Sequence, residues 1–358
     1  MSPAMKAHLS APTLALIVLA VMVALYGIDK FLAAQEQNEV DQEASSDFAA
    51  GKKLLAGGKA HQAVADFARA HALNRGNREY LLSLAEAQIA DHQFAAAHDT
   101  LNDALEEDSN DGRANLLMAR LIAANGKFKD ADFYYHRAIY GEWPSNATQE
   151  TAKARLELAN MLAEHGNSQE LLSELLLIQN QPDQSLATRK HIAALFLEAG
   201  SGQRAEAEYR GLIHEDRSDA DIFVGLGQAH IMEGNYRAAE NAFLDALRRR
   251  MNDRYIQSEL GLVAKLATLD PTLRRLSTAE KYRRAGEILD LAQSELNACL
   301  PNPPKPEPAK PVRGAVTNEM AEARLDEAEK IWKQRLETCS QPPAPDDPLG
   351  FLMKKLAQ

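Results

Sequence analysis

Apolar and polar positions along this chain follow the α-helical spacing, and the spacing itself recurs. Residues 220–251 show it most clearly. Phe223, Leu226, Gly227 and His230 share one face of a first helix; Tyr236, Ala239, Phe243, Ala246 and Leu247 share one face of a second. The break between them falls at Glu233-Gly234-Asn235. Apolar residues at intervals of three and four mark amphipathic helices. A pair this short cannot bury its stripe alone and needs neighbours of the same form.

The neighbours are present. Ala63, Ala97 and Ala131 lie 34 residues apart; after a six-residue insertion near 141–146, Leu171, Ala205 and Ala239 do so again. Each first helix carries a small residue at one register: Gly51, Ala85, Ala119, Ala159, Ala193, Gly227 and Gly261. Each second helix carries a large one: Phe67, Leu101, Tyr135, Leu175, Tyr209 and Phe243. Gly58, Gly126, Gly166, Gly200 and Gly234 mark the turn inside the unit. The predicted class is all-α, a stack of helix-turn-helix units over residues 44–299 that ends in atypical capping helices.

The flanks read differently. After a short tail, 1–8, residues 9–28 carry no formal charge and are dominated by Leu, Ile, Val, Ala and Met. Twenty helical residues span roughly 30 Å, the hydrocarbon thickness of a bilayer. A cleaved signal peptide is the alternative; the run exceeds the usual h-region, and Leu32-Ala33-Ala34 is a weak cleavage site, so a transmembrane anchor is favoured. Residues 29–43 form a polar connector, and Ser45 or Ser46 is a candidate cap for the first repeat helix.

Beyond the sixth unit the phase is lost. Asp270-Pro271 reads as a helix start, and Ser277-x-x-Glu280 as a capping box. The helix to Cys299 carries the stripe Tyr282, Ala285, Leu289, Ala292, Leu296 and Cys299, suited to sealing the stack or to a coiled-coil seam. Residues 300–316 are a proline-rich spacer, 317–339 a second helix with the stripe Ala321, Leu325, Ala328, Trp332 and Cys339, and 340–358 a tail read as frayed, the alternative being one or two amphipathic turns over 348–356 that dock in the groove of the same or a neighbouring molecule. Both cysteines fall at the C-terminal ends of their helices. A parallel pairing of the helices brings them together, and a Cys299–Cys339 disulfide is the hypothesis; two buried free thiols are the alternative.

Composition narrows the function. With 40 basic and 51 acidic residues the net charge is −11, which argues against a nucleic-acid partner. The two cysteines match no zinc or redox spacing. No phosphate loop, dinucleotide fingerprint or catalytic motif is found, so neither enzymatic activity nor a cofactor or metal is expected. Asn146-Ala147-Thr148 matches a glycosylation acceptor, a motif frequent by chance.

The 34-residue pattern over roughly residues 44–267 resembles the tetratricopeptide repeat family, although the first aromatic and the terminal proline of its signature are mostly missing. The resemblance implies a right-handed α-solenoid whose first helices line a concave groove. By register, the groove residues are Leu82, Glu86, Leu116, Arg120, Leu156, Asn160, Lys190, Val224 and Gln228, with Phe48, Lys52, Leu55, Ile89 and Ile231 in the same rows. Such a groove suits an extended or helical peptide. The paired Lys and Asn with which chaperone-tail receptors hold a carboxylate are absent: Phe48 and Lys52 flank Gly51, and Leu156 and Asn160 flank Ala159.

The expectation is a single-pass membrane scaffold that binds a protein or peptide partner in assembly or recruitment of an envelope complex. It would contact the bilayer through its first helix and sit in a bacterial inner membrane with the repeats in the periplasm. The alternative is a permanent structural subunit of a larger membrane complex that does not use the groove. Oligomeric state is not legible.

Overall fold

The computed structural model describes residues 11–165, 167–179, 181, 184–300, 316–344 and 347–357, with side chains from residue 19 onward. Among these residues the chain forms sixteen helices and no strand. They are α1 (Ala11–Ala56), α2 (Ala60–Leu73), α3 (Arg78–Ala90), α4 (Phe94–Glu107), α5 (Gly112–Ala124), α6 (Phe128–Ile139), α7 (Ala147–Glu164) and α8 (Ser168–Gln179). There follow α9 (Leu186–Glu198), α10 (Gly202–Glu215), α11 (Ala220–Met232), α12 (Tyr236–Arg249), α13 (Arg254–Leu269), α14 (Thr278–Cys299), α15 (Asn318–Thr338) and α16 (Pro348–Leu356). The chain divides into two compact units, residues 1–161 and 162–358.

α1 packs on α2, α3 on α4, α5 on α6, α9 on α10 and α11 on α12, and two first helices touch the first helix of the next repeat, α3 on α5 and α9 on α11. Side-chain volume explains the pairing. A Cβ on Gly51 would sit 2.8 Å from the Phe67 ring, and one on Gly227 2.7 Å from the Phe243 ring. Where the large residue is leucine, as at Leu101, the small one is alanine, Ala85, and both are fully buried. The tight turn needs a left-handed residue: Gly58, Gly126, Gly200 and Gly234 have φ between 70° and 75°. His92 takes that position in the second repeat at φ 58°, which conceals its turn from a search for glycine. Gly166 lies outside the described residues.

The six-residue insertion is an anchored loop. Glu142 exchanges backbone hydrogen bonds with Asn110 and Gly112 at 2.7 and 2.8 Å. Trp143 donates to the Ala138 carbonyl at 2.9 Å and fills the space beside Gly112, where any Cβ would collide with its ring.

Several expectations are corrected. α1 runs unbroken for 46 residues through the predicted connector and through Ser45 and Ser46, which cap nothing. No helix among the described residues is long and apolar enough to cross a membrane. The expected span, 9–28, lies partly outside them: residues 9–10 are not described, nor are the side chains of 11–18.

Asp270-Pro271 closes α13 rather than opening a helix; α14 starts after Ser277, whose hydroxyl accepts from the Glu280 amide at 3.2 Å. Gly261, in perfect sequence register, faces open space, because no large residue from a following second helix packs on it.

α14 packs on α15 more extensively than any other described pair. The two run parallel: Arg324 donates to the Tyr282 carbonyl at 3.2 Å, Arg335 lies 3.5 Å from Glu295, and a disulfide joins Cys299 to Cys339 with Cα atoms 5.7 Å apart. The expected frayed tail is also corrected. α16 is a capped helix, its first amides held by Asp347, with Leu349, Leu352 and Met353 buried in the same core as Ile256, Leu266, Ile288 and Trp332.

Candidate protein-binding site

The first helices carry the residues the register assigned to a groove, and the structure sorts them by burial. Leu82 and Leu116 keep only 4% and 3% of their surface and pack between helices, so neither presents its side chain outward. In these two repeats the position three before the small register points into the stack. Leu156, Lys190 and Val224, at the equivalent position, are half-buried, as are Glu86, Arg120, Asn160 and Gln228 in the next row.

The half-exposed polar residues are tied to one another. In the first unit Arg113, on α5, reaches back to α3 and donates to Glu79 at 2.5 Å, Glu86 at 3.1 Å and Ser83 at 3.3 Å. Arg120 grips Glu157 of α7 with two hydrogen bonds of 2.8 and 2.7 Å. Donation to Glu157 holds the Arg120 guanidinium above its ordinary pKa despite burial. Burial lifts the adjacent Tyr135 phenol to about 12, and the Glu157 charge adds to that. A bidentate pair of this kind fixes both side chains in orientation more than it adds stability.

In the second unit Lys190 donates to Asp219 at 2.7 Å. Arg250 bridges Asp221 at 2.7 Å and Asp253 at 3.3 Å, and Gln228 donates to the Tyr255 hydroxyl at 2.6 Å. The aspartates also cap helices: Asp219 accepts from the Asp221 amide, Asp253 from Tyr255 and Ile256. His230 is 4% exposed; among the described residues its Nδ1 has no hydrogen-bond partner, and it stands 3.5 Å from a Glu206 oxygen. Burial pushes this imidazole below its ordinary 6.5, against the opposing effect of the Glu206 carboxylate.

The groove registers leave out Glu79, Arg113, Glu157, Asp219, Asp221, Arg250 and Tyr255. Glu79 and Arg113 share one register, 34 residues apart, and the other pairs cross registers. Glu86–Arg113 and Gln228–Tyr255 both span 27 residues, one repeat less about two helical turns. Complementary side chains at that offset are the signal that reveals the ladder.

Phe48 stacks against Phe67 and Tyr80, with ring centres 5.6 and 4.7 Å away, and the Lys52 ammonium lies 5.2 Å from its centre. Phe48 therefore closes the start of the first unit's core.

Comparison with known proteins agrees with this architecture. Residues 54–121 and 196–266 match the family model described as Tetratricopeptide repeat, one stretch in each unit. Tetratricopeptide repeats are thus present at both ends of the predicted array. No curated protein matches the chain. Solved structures that resemble it include PilW, a type IV pilus biogenesis factor, at 17% identity over 61% of this chain and 98% of that one, TM-score 0.46. YrrB, a TPR protein with an unusual peptide-binding site, is 16% identical over 53% of this chain and 94% of that one, TM-score 0.44. The TPR2AB domain of yeast Sti1 in complex with pHSP90 is 15% identical over 88% of this chain and 98% of that one, TM-score 0.29.

Proposed function

We propose that this protein is a membrane-anchored, non-enzymatic scaffold that holds a peptide or helix of a protein partner on the inner faces of its first helices. The ladder of side chains just described supports the reading. In the first unit it pre-orients Glu86 and Arg120 on first helices that also carry the half-buried Leu156; in the second it pre-orients Lys190 and Gln228 on first helices that also carry the half-buried Val224. Apolar contacts thus alternate with fixed hydrogen-bonding groups along the same helices. Fixed side chains lower the ordering cost of binding, which suits short segments of limited contact area.

The membrane part rests on α1. Leu19, Val21, Met22, Val23, Leu25, Tyr26, Ile28, Phe31 and Leu32 are each more than half exposed, whereas the packing of α1 on α2 and α3 lies in its C-terminal part, around Ala44, Phe48 and Leu55. A continuous apolar surface of this kind is costly in water and marks an interaction site. Together with residues 9–18 it supplies the length and composition that a bilayer accepts. Lys30, whose ammonium stands 5.7 Å from the Tyr26 ring, lies where the helix would leave the lipid. In this reading the repeats face the bacterial periplasm and serve assembly or recruitment of an envelope complex.

Site-specific photo-crosslinking in the native host tests both parts. A probe at Asn160 or Val224 is expected to yield one discrete partner band, and the compartment of that partner identifies the side of the membrane. Crosslinks only to this chain, while the protein still co-purifies with others, would retire the inner face and favour a permanent structural subunit. Recovery of the full chain in the soluble fraction would retire the anchor.

A further inference from the structure

α16 does more than complete the fold. It has the chemistry of a ligand seated on a receptor surface. Its anchors Leu349, Leu352 and Met353 fall at i, i+3 and i+4, and each is at most 3% exposed. They join a core contributed by α13, α14 and α15. One turn after Leu352, Lys355 donates to Asp270 at 2.7 Å and to Thr272 at 3.2 Å.

Asp270 is fully buried. Its other side-chain partners are neutral: the Tyr236 hydroxyl, and the Thr272 amide and hydroxyl, each at 2.7 Å. Arg284 is spent on the carbonyls of Ala267 and Asp270, at 2.9 and 3.0 Å. The carboxylate's direct cation is thus delivered by a helix nine residues long. An isolated helix of that length does not persist in water, so α16 gains its structure by docking.

A cavity of about 560 Å³ opens between α15 and α16, walled by Trp332 and Leu336 on one side and by Phe351 and Lys354 of α16 on the other.

We infer that this end surface of the second unit, formed by α13, α14 and α15, is a second docking site, distinct from the inner face. Its partner is a short amphipathic helix with leucine-type anchors at i, i+3 and i+4 and a lysine that reaches Asp270. α16 holds the site shut in cis. A tethered helix acts at an effective concentration near the millimolar range, so an outside helix must out-compete it and finds the site only when its own affinity is high or α16 is drawn away.

The test keeps the chain whole while it folds. A protease site is inserted at Pro342, in the loop before α16, and the detergent-solubilised full chain is cut after purification. The probe is a fluorescent peptide of residues 347–357. The cut chain is expected to exchange its α16 for the probe and bind it at least roughly tenfold tighter than the uncut chain, and Asp270→Asn in the cut chain is expected to lose about that factor. An uncut chain carrying Leu352→Asp, whose α16 no longer fits, is expected to bind the probe as the cut chain does. If α16 never exchanges after cutting, or if the cut chain loses its helical signal, α16 is an integral part of the fold and the inference fails. Exchange that Asp270→Asn leaves unchanged would equally overturn the recognition assigned to the carboxylate.

Discussion

The repeats from α1 to α12 and the closing segment from α13 to α16 are held together differently. In the repeats, cohesion is local and serial: a small residue on one helix receives a large one from the next, sixteen positions later. In the closing segment, the ties are long in sequence. The disulfide spans 40 residues and the Lys355–Asp270 pair spans 85. The two glycines that share a register show the contrast best. Gly227 lies under the Phe243 ring, whereas Gly261 faces open space. A register position acquires its meaning from the partner helix, and where α14 fails to supply one the segment needs other fastenings.

Removing those fastenings is expected to have the largest effect. Replacing Cys299 and Cys339 by serine opens a loop of 40 residues. Loop entropy alone puts the loss near 4 kcal/mol. Hydrogen exchange should locate it at Leu296 and Trp332 and spare Phe67; equal loosening at both would erase the contrast drawn above.

Next come the glycines. Gly227→Ala forces a methyl group against Phe243 and is expected to cost about 2 kcal/mol, whereas Gly261→Ala is expected to gain roughly 0.5–1 kcal/mol from helix propensity. Chemical denaturation of the two variants side by side decides it, and matching shifts would show that register alone governs packing.

Acid should dismantle the two regions in sequence. The folded-state pKa of His230 is depressed by burial. The unfolded chain therefore takes up its proton first as pH falls, and stability present above about 6.5 is lost below it. For Asp270, burial raises the pKa, but the hydrogen bonds from Lys355, Tyr236 and Thr272 outweigh it and leave the carboxyl below its ordinary 3.8. Its contribution is present above that value and is lost only as pH falls through the depressed one. Urea midpoints at pH 7.5, 5.5 and 3.5 for the parent chain and for His230→Gln should separate the two; a variant as acid-sensitive as the parent between the first two points removes His230 from the account.

The smallest effect belongs to the ladder. A double-mutant cycle on Arg120 and Glu157 should return no more than about 1 kcal/mol, since the pair is one-third exposed. A larger coupling would mean that the inner face is held as firmly as the core.

Much of the fold is written in short-range terms and is legible without coordinates. The six small–large pairs from Gly51–Phe67 to Gly227–Phe243 share one spacing and one physical cause. Other features need partners that spacing does not disclose. Asp-Pro stops a helix as readily as it starts one, and the cation that faces the Asp270 carboxylate, Lys355, comes from 85 residues away. Leu349, Leu352 and Met353 are too few to mark a buried helix until α13, α14 and α15 share a core with them. Leu82 and Leu116 occupy the register of Leu156, and only the depth of the neighbouring helices separates buried from half-exposed. Apart from Glu79–Arg113, the polar ladder is invisible to a single-register reading because its partners sit on different turns.

The outer apolar stretch of α1 and the inner helix of the first repeat are a single helix, with no proline after Pro12 and only Gly27 before Gly51. Whatever grips residues 19–32 therefore sets the azimuth of the first repeat as a shaft sets the bearing of a blade. One residue added between 33 and 43 would swing that repeat by about 100° and advance it by about 1.5 Å; seven would restore its bearing to within about 20°, about 10 Å farther out.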